Sequence, residues 1–147
     1  MGFLKKLLGV NEYSSPVADS GIVNLEISDA TNDDADKLCN FGNAFLRDKQ
    51  LANAIETYKK VLQINSQHAV AMNNLGSAYI EFGQLTMAIS ILKQATDIKP
   101  EYANAWYNIG NAYFKDGQQD KAVNAYKQTL HLEPGHVAAE HNLKLCR

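Results

Sequence analysis

Asparagine residues recur at one register of this chain and suggest a simple recognition chemistry. Asn40, Asn74 and Asn108 stand at intervals of 34 residues. Each side-chain amide carries both N–H donors and a carbonyl acceptor, so it can satisfy a peptide N–H and a peptide C=O together without adding charge. A row of such amides at regular spacing predicts binding of an extended main chain.

The stretch NAWYNIGNAYFKDG at 104–117 indicates how these asparagines are positioned. At ~100° per residue on a helix, Trp106 and Ile109 lie on one side, whereas Asn108 and Asn111 lie on the other. A merely solvated face would more usually carry Lys and Glu, because Asn is a poorer helix former. The asparagines therefore predict a recognition surface opposite a core face.

No other group of residues predicts catalysis or metal binding. His131, His136 and His141 follow at intervals of five and straddle a proline turn, so they share no helix face. Cys39 and Cys146 lie too far apart in sequence for a zinc-type cysteine pair or a disulfide framework. The sequence has no glycine-rich phosphate loop and no nucleophile elbow. We therefore expect no enzyme activity, no cofactor and no metal site.

Composition and charge exclude further classes of function. The chain of 147 residues has a formal net charge of -2, whereas nucleic-acid phosphates require a basic surface, so we expect no nucleic-acid partner. No run of residues approaches the roughly 18 apolar positions of a membrane-spanning helix. The two cysteines are expected to be reduced thiols. These features predict one cytoplasmic domain.

Internal similarity shows that the asparagine-bearing helix is one half of a repeat. The stretch at 104–117 has counterparts at 36–49 and 70–83, and a second helical pattern follows each copy. Glycine recurs inside each first helix, at Gly42, Gly76 and Gly110. Because interior glycine costs ~1 kcal/mol relative to alanine, its recurrence predicts a close approach of the second helix. The second-helix residues expected at this contact are Ala54, Ala88 and Ala122, with Tyr58, Leu92 and Tyr126 one turn later.

The repeated pattern resembles the tetratricopeptide repeat, a helix-turn-helix unit. The first helix of that family has large apolar, Leu, Gly and Tyr positions. Its second helix has Ala, aromatic, Ala and Pro positions, and Pro100 and Pro134 match the last of these. The resemblance implies an all-α, right-handed superhelical solenoid whose inner surface is lined by the first helices. It covers three repeats, at 35–68, 69–102 and 103–136.

The two ends of the array depart from the repeat pattern. In the first repeat, Lys49 and Ser66 replace the Gly and Pro of the later copies. Residues 137–147 begin a fourth first helix, but polar residues occupy the positions that would meet a second helix. Because a solenoid needs a polar surface where it ends in water, we expect this segment to be a capping helix.

The resemblance also implies a site on the inner surface. Asn40, Asn74 and Asn108 are similar to the asparagine ladder of O-linked N-acetylglucosamine transferase, which holds peptide main chains. The polar residues expected to assist are Asn43, Asn73, Ser77, Asn104 and Asn111. The residues expected to select ligand side chains are Leu46, Ile80, Tyr107 and Phe114. The predicted function is a noncatalytic adaptor that binds an extended protein segment; the alternative is that Asn is common at this family position and binds nothing.

One narrower family ligand does not fit the sequence. Family members that bind chaperone tails clamp a C-terminal carboxylate with two Lys, one Arg and two Asn. Asn43 and Asn74 match the asparagines, but Cys39, Asn104 and Asn108 stand where the cations should be. A buried carboxylate without cations is costly. We therefore expect partners other than the acidic tails of heat-shock chaperones.

Residues 1–34 form an N-terminal extension outside the repeats. Residues 1–9 combine Lys5 and Lys6 with the apolar residues Phe3, Leu4, Leu7 and Leu8, whereas residues 10–34 carry six acidic residues and no Lys or Arg. The first segment is compatible with a short amphipathic helix that contacts anionic membrane weakly or occupies an inner groove. A mobile tail is the third alternative. A self-assembling or membrane-surface scaffold is therefore the second candidate function.

Overall fold

The structure, a computed structural model, describes residues 29–146. Within this range the chain forms seven α-helices and no strand. They are α1 (Asn32–Arg47), α2 (Leu51–Ile64), α3 (Ala69–Phe82), α4 (Leu85–Ile98), α5 (Ala103–Lys115), α6 (Gln119–Leu132) and α7 (Val137–Leu145). The predicted all-α helical-repeat fold class is confirmed. The expected amphipathic segment at 1–9 lies outside the described residues.

The helices belong to two compact units that divide after Ser66. The first unit contains α1 and α2, and the second contains α3 to α7. No helix among residues 29–146 is both long enough and apolar enough to cross a membrane.

The helix α1 begins at Asn32, ahead of the predicted repeat boundary at residue 35. Thr31 and Asp34 form a capping box: the Thr31 Oγ1 accepts from the Asp34 backbone N–H at 3.3 Å, and the Thr31 N–H donates to Asp34 Oδ2 at 3.0 Å. These reciprocal bonds satisfy donors that a helix start leaves unpaired. The Thr31 backbone bond also lowers the pKa of the Asp34 carboxyl.

Glycine allows the two helices of each pair to approach closely, as predicted. A Cβ atom added to Gly42 would lie 2.5 Å from Tyr58 Cε1, and one added to Gly110 would lie 2.5 Å from Tyr126 Cε1. A Cβ on Gly76 would overlap the Leu92 side chain. The large partners in the second helices are fully buried, so these contacts form the centre of each helix pair.

The turns inside the helix pairs require left-handed backbone. Gly83 has φ 85° and Gly117 has φ 76°, values that glycine adopts without steric cost. Lys49 occupies the corresponding turn of the first unit with φ 59°. The replacement of glycine by Lys49 therefore keeps the geometry of the turn. It also places a residue with a Cβ atom in a left-handed conformation that is unfavourable for such residues.

The helix α7 is the last helix of the second unit within the described residues. His136 precedes it, and the His136 Nδ1 accepts a hydrogen bond from the Ala139 N–H at 3.2 Å. Ala139 is buried, whereas Glu140 and Lys144 are exposed. Two apolar residues of α7, Val137 and Leu145, are also exposed, so its solvent-facing side carries both charged and apolar side chains.

Candidate functional site

Asparagine side chains connect α3 to α5 in the second unit. The Asn108 Nδ2 donates to Asn73 Oδ1 at 2.9 Å, and the Asn73 Nδ2 donates to Asn74 Oδ1 at 3.1 Å. Asn73 is only 7% exposed, so it serves mainly as a buried link between the two helices. Asn73, Asn74 and Asn108 therefore have a role in packing, in addition to any role in ligand binding.

A fourth asparagine, Asn142 on α7, continues the series. The Asn142 Nδ2 lies 3.0 Å from Asn111 Oδ1 and 3.3 Å from the Tyr107 hydroxyl. Asn142 follows Asn108 by 34 residues, and both donate to a residue 35 positions earlier in the chain. The sequence reasoning missed Asn142 because it assigned α7 only a capping role, although the same 34-residue spacing identifies it.

Buried tyrosines orient two further asparagines. The Tyr126 hydroxyl donates to Asn111 Oδ1 at 2.9 Å, and in the first unit the Tyr58 hydroxyl donates to Asn43 Oδ1 at 2.7 Å. In the middle repeat Ser77 replaces the asparagine and Leu92 replaces the tyrosine. The leucine offers no hydroxyl, so the middle repeat has neither the donor nor the amide.

The second unit forms a groove cavity of about 310 Å³ between α3, α5 and α7. It brings together five predicted residues and three others that the prediction did not include. The predicted residues are Ser77, Ile80, Asn108, Asn111 and Phe114, and the others are Glu81, Lys115 and Asn142. The two apolar residues of its wall differ in exposure, because Ile80 is only 8% exposed whereas Phe114 is 37% exposed. The cavity therefore combines polar amides with an accessible aromatic ring.

Three amide groups in this cavity keep unused hydrogen-bonding capacity. Among residues 29–146, nothing donates to Asn108 Oδ1 or Asn142 Oδ1, and nothing accepts from Asn111 Nδ2. The two acceptors suit peptide N–H groups and the donor suits a peptide C=O. The groove cavity can therefore pair with a main chain without any charged group taking part.

The remaining predicted residues lie elsewhere. In the first unit, Asn40 is exposed and Leu46 is half-buried. In the second unit, Asn74 and Asn104 do not line the groove cavity. Tyr107 contacts His136, the residue that precedes α7, and the centroids of the two rings lie 4.8 Å apart.

The structure offers little for catalytic or metal chemistry in the range that it describes. No group of three or more His, Cys, Asp or Glu residues within 29–146 is arranged to hold a metal ion. Burial raises the pKa of the Cys39 thiol to about 11, with a smaller contribution from Asp36, so this thiol is protonated at neutral pH. A protonated thiol is a poor nucleophile and a poor metal ligand.

Family models match most of the described chain. The model described as TPR repeat matches residues 76–117, and two models described as tetratricopeptide repeat match residues 36–68 and 103–136. These segments contain α1 from Asp36 onward, all of α2, α3 from Gly76 onward, and the whole of α4, α5 and α6. No curated protein sequence shows significant similarity to this chain.

Solved structures share the fold. The chain is similar to the Sgt2 TPR domain from Aspergillus fumigatus, with 29% identity, a TM-score of 0.74, and coverage of 76% of both chains. It is similar to MamA, with 30% identity and a TM-score of 0.73 over 76% of this chain and 66% of that one. It is also similar to the first TPR of Spaghetti (RPAP3) bound to the HSP90 peptide SRMEEVD, with 25% identity, a TM-score of 0.77, and coverage of 80% and 93%.

The repeat pattern, the helix pairs and these matches agree on one classification. Domains of this fold are typically noncatalytic interaction modules, and at least one similar structure holds a peptide. The chain belongs to the tetratricopeptide repeat family.

Proposed function

We propose that this protein is a cytoplasmic adaptor that binds an extended segment of another protein in the groove cavity of its second unit. The observation that carries the proposal is the set of amide atoms without partners, Asn108 Oδ1, Asn111 Nδ2 and Asn142 Oδ1, within one cavity. Desolvating such groups without a partner costs roughly 1–3 kcal/mol each. A main chain that supplies the missing partners avoids this cost.

Preorganisation supports the same function. Each of the three amides is already held at one end, by Asn73, by Tyr126 and by Asn111 respectively. A ligand therefore meets amides whose orientation is set before binding, which lowers the conformational entropy lost on association. Phe114, exposed at the cavity, is suited to contact an apolar ligand side chain.

The proposed ligand differs from the chaperone tail in the similar RPAP3 structure. That complex contains the acidic peptide SRMEEVD. At the positions expected to carry carboxylate-binding cations, this chain has a buried Cys39, an exposed Asn104, and Asn108 bonded to Asn73. Main-chain recognition by neutral amides is therefore favoured over clamping of a terminal carboxylate.

The test is capture of binding partners with variants that block the groove without breaking its internal bonds. Ser77→Arg places a bulky side chain in the cavity, and Phe114→Ser removes the exposed ring. Neither side chain has a hydrogen bond among the described residues, so folding should persist, and circular dichroism checks it. We expect proteins captured from the source lysate by the intact chain to be lost with both variants.

The matched control is Met87→Ser. Met87 is an exposed apolar residue on α4 outside the groove cavity, comparable in exposure to Phe114. It should capture the same proteins as the intact chain. Capture that survives Ser77→Arg and Phe114→Ser would refute the groove as the recognition surface.

A further inference from the structure

A second and larger cavity lies on the opposite side of α5 from the groove. This outer cavity, of about 640 Å³, is walled by α4 and α6 and floored by α5. Its floor is formed by Trp106, Ile109 and Tyr113. The volume falls within the usual range for ligand sites, roughly 300–1,000 Å³. The helix α5 therefore presents asparagines to one cavity and aromatic rings to another.

The aromatic floor is held in a defined position. The Trp106 Nε1 donates to the Pro100 carbonyl oxygen at 2.8 Å, so the indole has its polar atom satisfied and leaves its ring available for contact. Tyr113 is 8% exposed and Ile109 is buried, so packing holds both side chains in place. A fixed aromatic surface binds apolar groups at low conformational cost.

Two lysines from opposite walls reach over the same ring. The Lys93 Nζ on α4 lies 5.8 Å from the Tyr113 ring centroid, and the Lys121 Nζ on α6 lies 5.4 Å from it. Lys121 also donates to Gln118 Oε1 at 2.6 Å. Neither ammonium group forms a salt bridge within residues 29–146. Asp97 is the one acidic residue that lines the cavity, so its local charge is positive.

We propose that this outer cavity binds a protein segment in which an aromatic side chain is flanked by acidic residues. The aromatic ring would lie against Trp106 and Tyr113, where it removes apolar surface from water. The flanking carboxylates would pair with the ammonium groups of Lys93 and Lys121. Because both ammonium groups lie beside one ring, a single short segment satisfies the aromatic and the charge requirement together.

The charge pattern favours this segment over other apolar ligands. An aromatic segment flanked by lysines would repel both walls, and a neutral one would leave both ammonium groups unpaired. The carboxylate of Asp97 lies on the α4 wall with Lys93, so the α6 wall, with Lys121, is the more positive of the two. We therefore expect Lys121 to contribute more to binding than Lys93.

The tryptophan fluorescence of the protein can report peptide binding at the outer cavity directly. Trp106 is the only tryptophan in the chain and lies in the outer cavity. The probe is the blocked peptide Glu-Asp-Phe-Glu-Glu, titrated into the intact chain. Two comparison peptides replace its Phe by Ala or all its acidic residues by Lys. We expect a saturable change in tryptophan fluorescence with the first peptide. The Ala peptide loses the apolar contact and the Lys peptide loses the ion pairs, so each should bind at least roughly fivefold more weakly.

Variants connect the response to named side chains. Lys93→Gln and Lys121→Gln should each weaken binding of the acidic peptide, by up to roughly fivefold, and added salt should weaken binding to the intact chain. Lys127→Gln, on the same helix as Lys121 but outside the cavity, is the matched control and should bind normally. Phe114→Ser, which alters the groove cavity, should also leave this response unchanged.

The outcomes separate the two cavities. A normal peptide response in Phe114→Ser together with lost partner capture assigns different ligands to the two sites. The outer-cavity proposal is refuted if the acidic peptide gives no saturable response, if the Ala or Lys peptide binds as tightly, or if neither Lys93→Gln nor Lys121→Gln weakens binding of the acidic peptide.

Discussion

The buried hydroxyl of Tyr126 on α6 donates to Asn111 Oδ1 on α5 at 2.9 Å, and the Asn142 Nδ2 on α7 donates to the same oxygen at 3.0 Å. One acceptor in the groove therefore receives donors from two other helices. Because the oxygen is occupied, Nδ2 is the Asn111 amide atom that remains for a ligand in the groove cavity. The orientation of a surface amide is thus set by a core residue.

This relationship predicts that the Tyr126 hydroxyl stabilises the fold. Tyr126→Phe should lower the free energy of unfolding by about 1 kcal/mol, the usual net value of one hydrogen bond, as measured by urea denaturation. Tyr79→Phe is the matched control, because the Tyr79 hydroxyl has no partner among residues 29–146. An equal loss in both variants would show that the Tyr126 bond contributes nothing specific.

Alkaline pH should weaken the second unit through the same residue. Burial raises the pKa of Tyr126 from 10.0 to about 12, partly offset by a hydrogen bond that the Asn142 Nδ2 donates to the Tyr126 hydroxyl at 3.5 Å. Because the folded-state pKa is the higher one, the stabilisation is complete below about pH 10 and is lost as pH rises toward 12. Phenolate absorbance should include a late ionisation step from Tyr126, and Tyr126→Phe should remove that step. A profile unchanged by the substitution would contradict the assignment.

The strained turn of the first unit predicts a stabilising substitution. Lys49 adopts a left-handed φ of 59°, which costs a residue with a Cβ about 1–2 kcal/mol. Lys49→Gly should raise the free energy of unfolding by about 0.5–1 kcal/mol, because the greater freedom of unfolded glycine offsets part of the gain. The reverse change, Gly117→Lys, should destabilise. Calorimetry on both variants checks the pair, and a destabilised Lys49→Gly would count against strain at this turn.

The helical glycines should tolerate no methyl group. In Gly110→Ala the new Cβ would overlap the Tyr126 ring, and overpacking of this kind typically costs about 1–3 kcal/mol, of which better helix propensity returns ~1 kcal/mol. Gly135→Ala is the matched control, because a Cβ there meets nothing within 4 Å. Thermal unfolding should show a clear loss only for Gly110→Ala. Equal melting temperatures would mean that the helix pair adjusts to the extra volume.

Much of the fold could be predicted because its signals are local. Helix periodicity, the 34-residue spacing and the glycine positions each depend on residues within one repeat, and the structure places Gly42 and Gly110 against tyrosines as expected. The candidate site was less predictable. Asn73 and Ile80 were expected on the ligand-binding face, yet both are largely buried. Helix periodicity predicts the direction in which a side chain points, but it does not predict how far neighbouring helices cover that side chain.

The sequence by itself determined the helix pairs, their repetition and the register at which asparagine recurs, since these follow from spacing along the chain. Only the tertiary structure decided which amide atoms remain available to a ligand. The deciding hydrogen bonds join residues 15 to 35 positions apart, from Tyr126 and Asn111 to Asn108 and Asn73. Tertiary packing likewise brought Lys93 and Lys121 from two helices over one ring of a third. Such contacts depend on how helices distant in sequence pack together, and periodicity within one helix does not specify that packing.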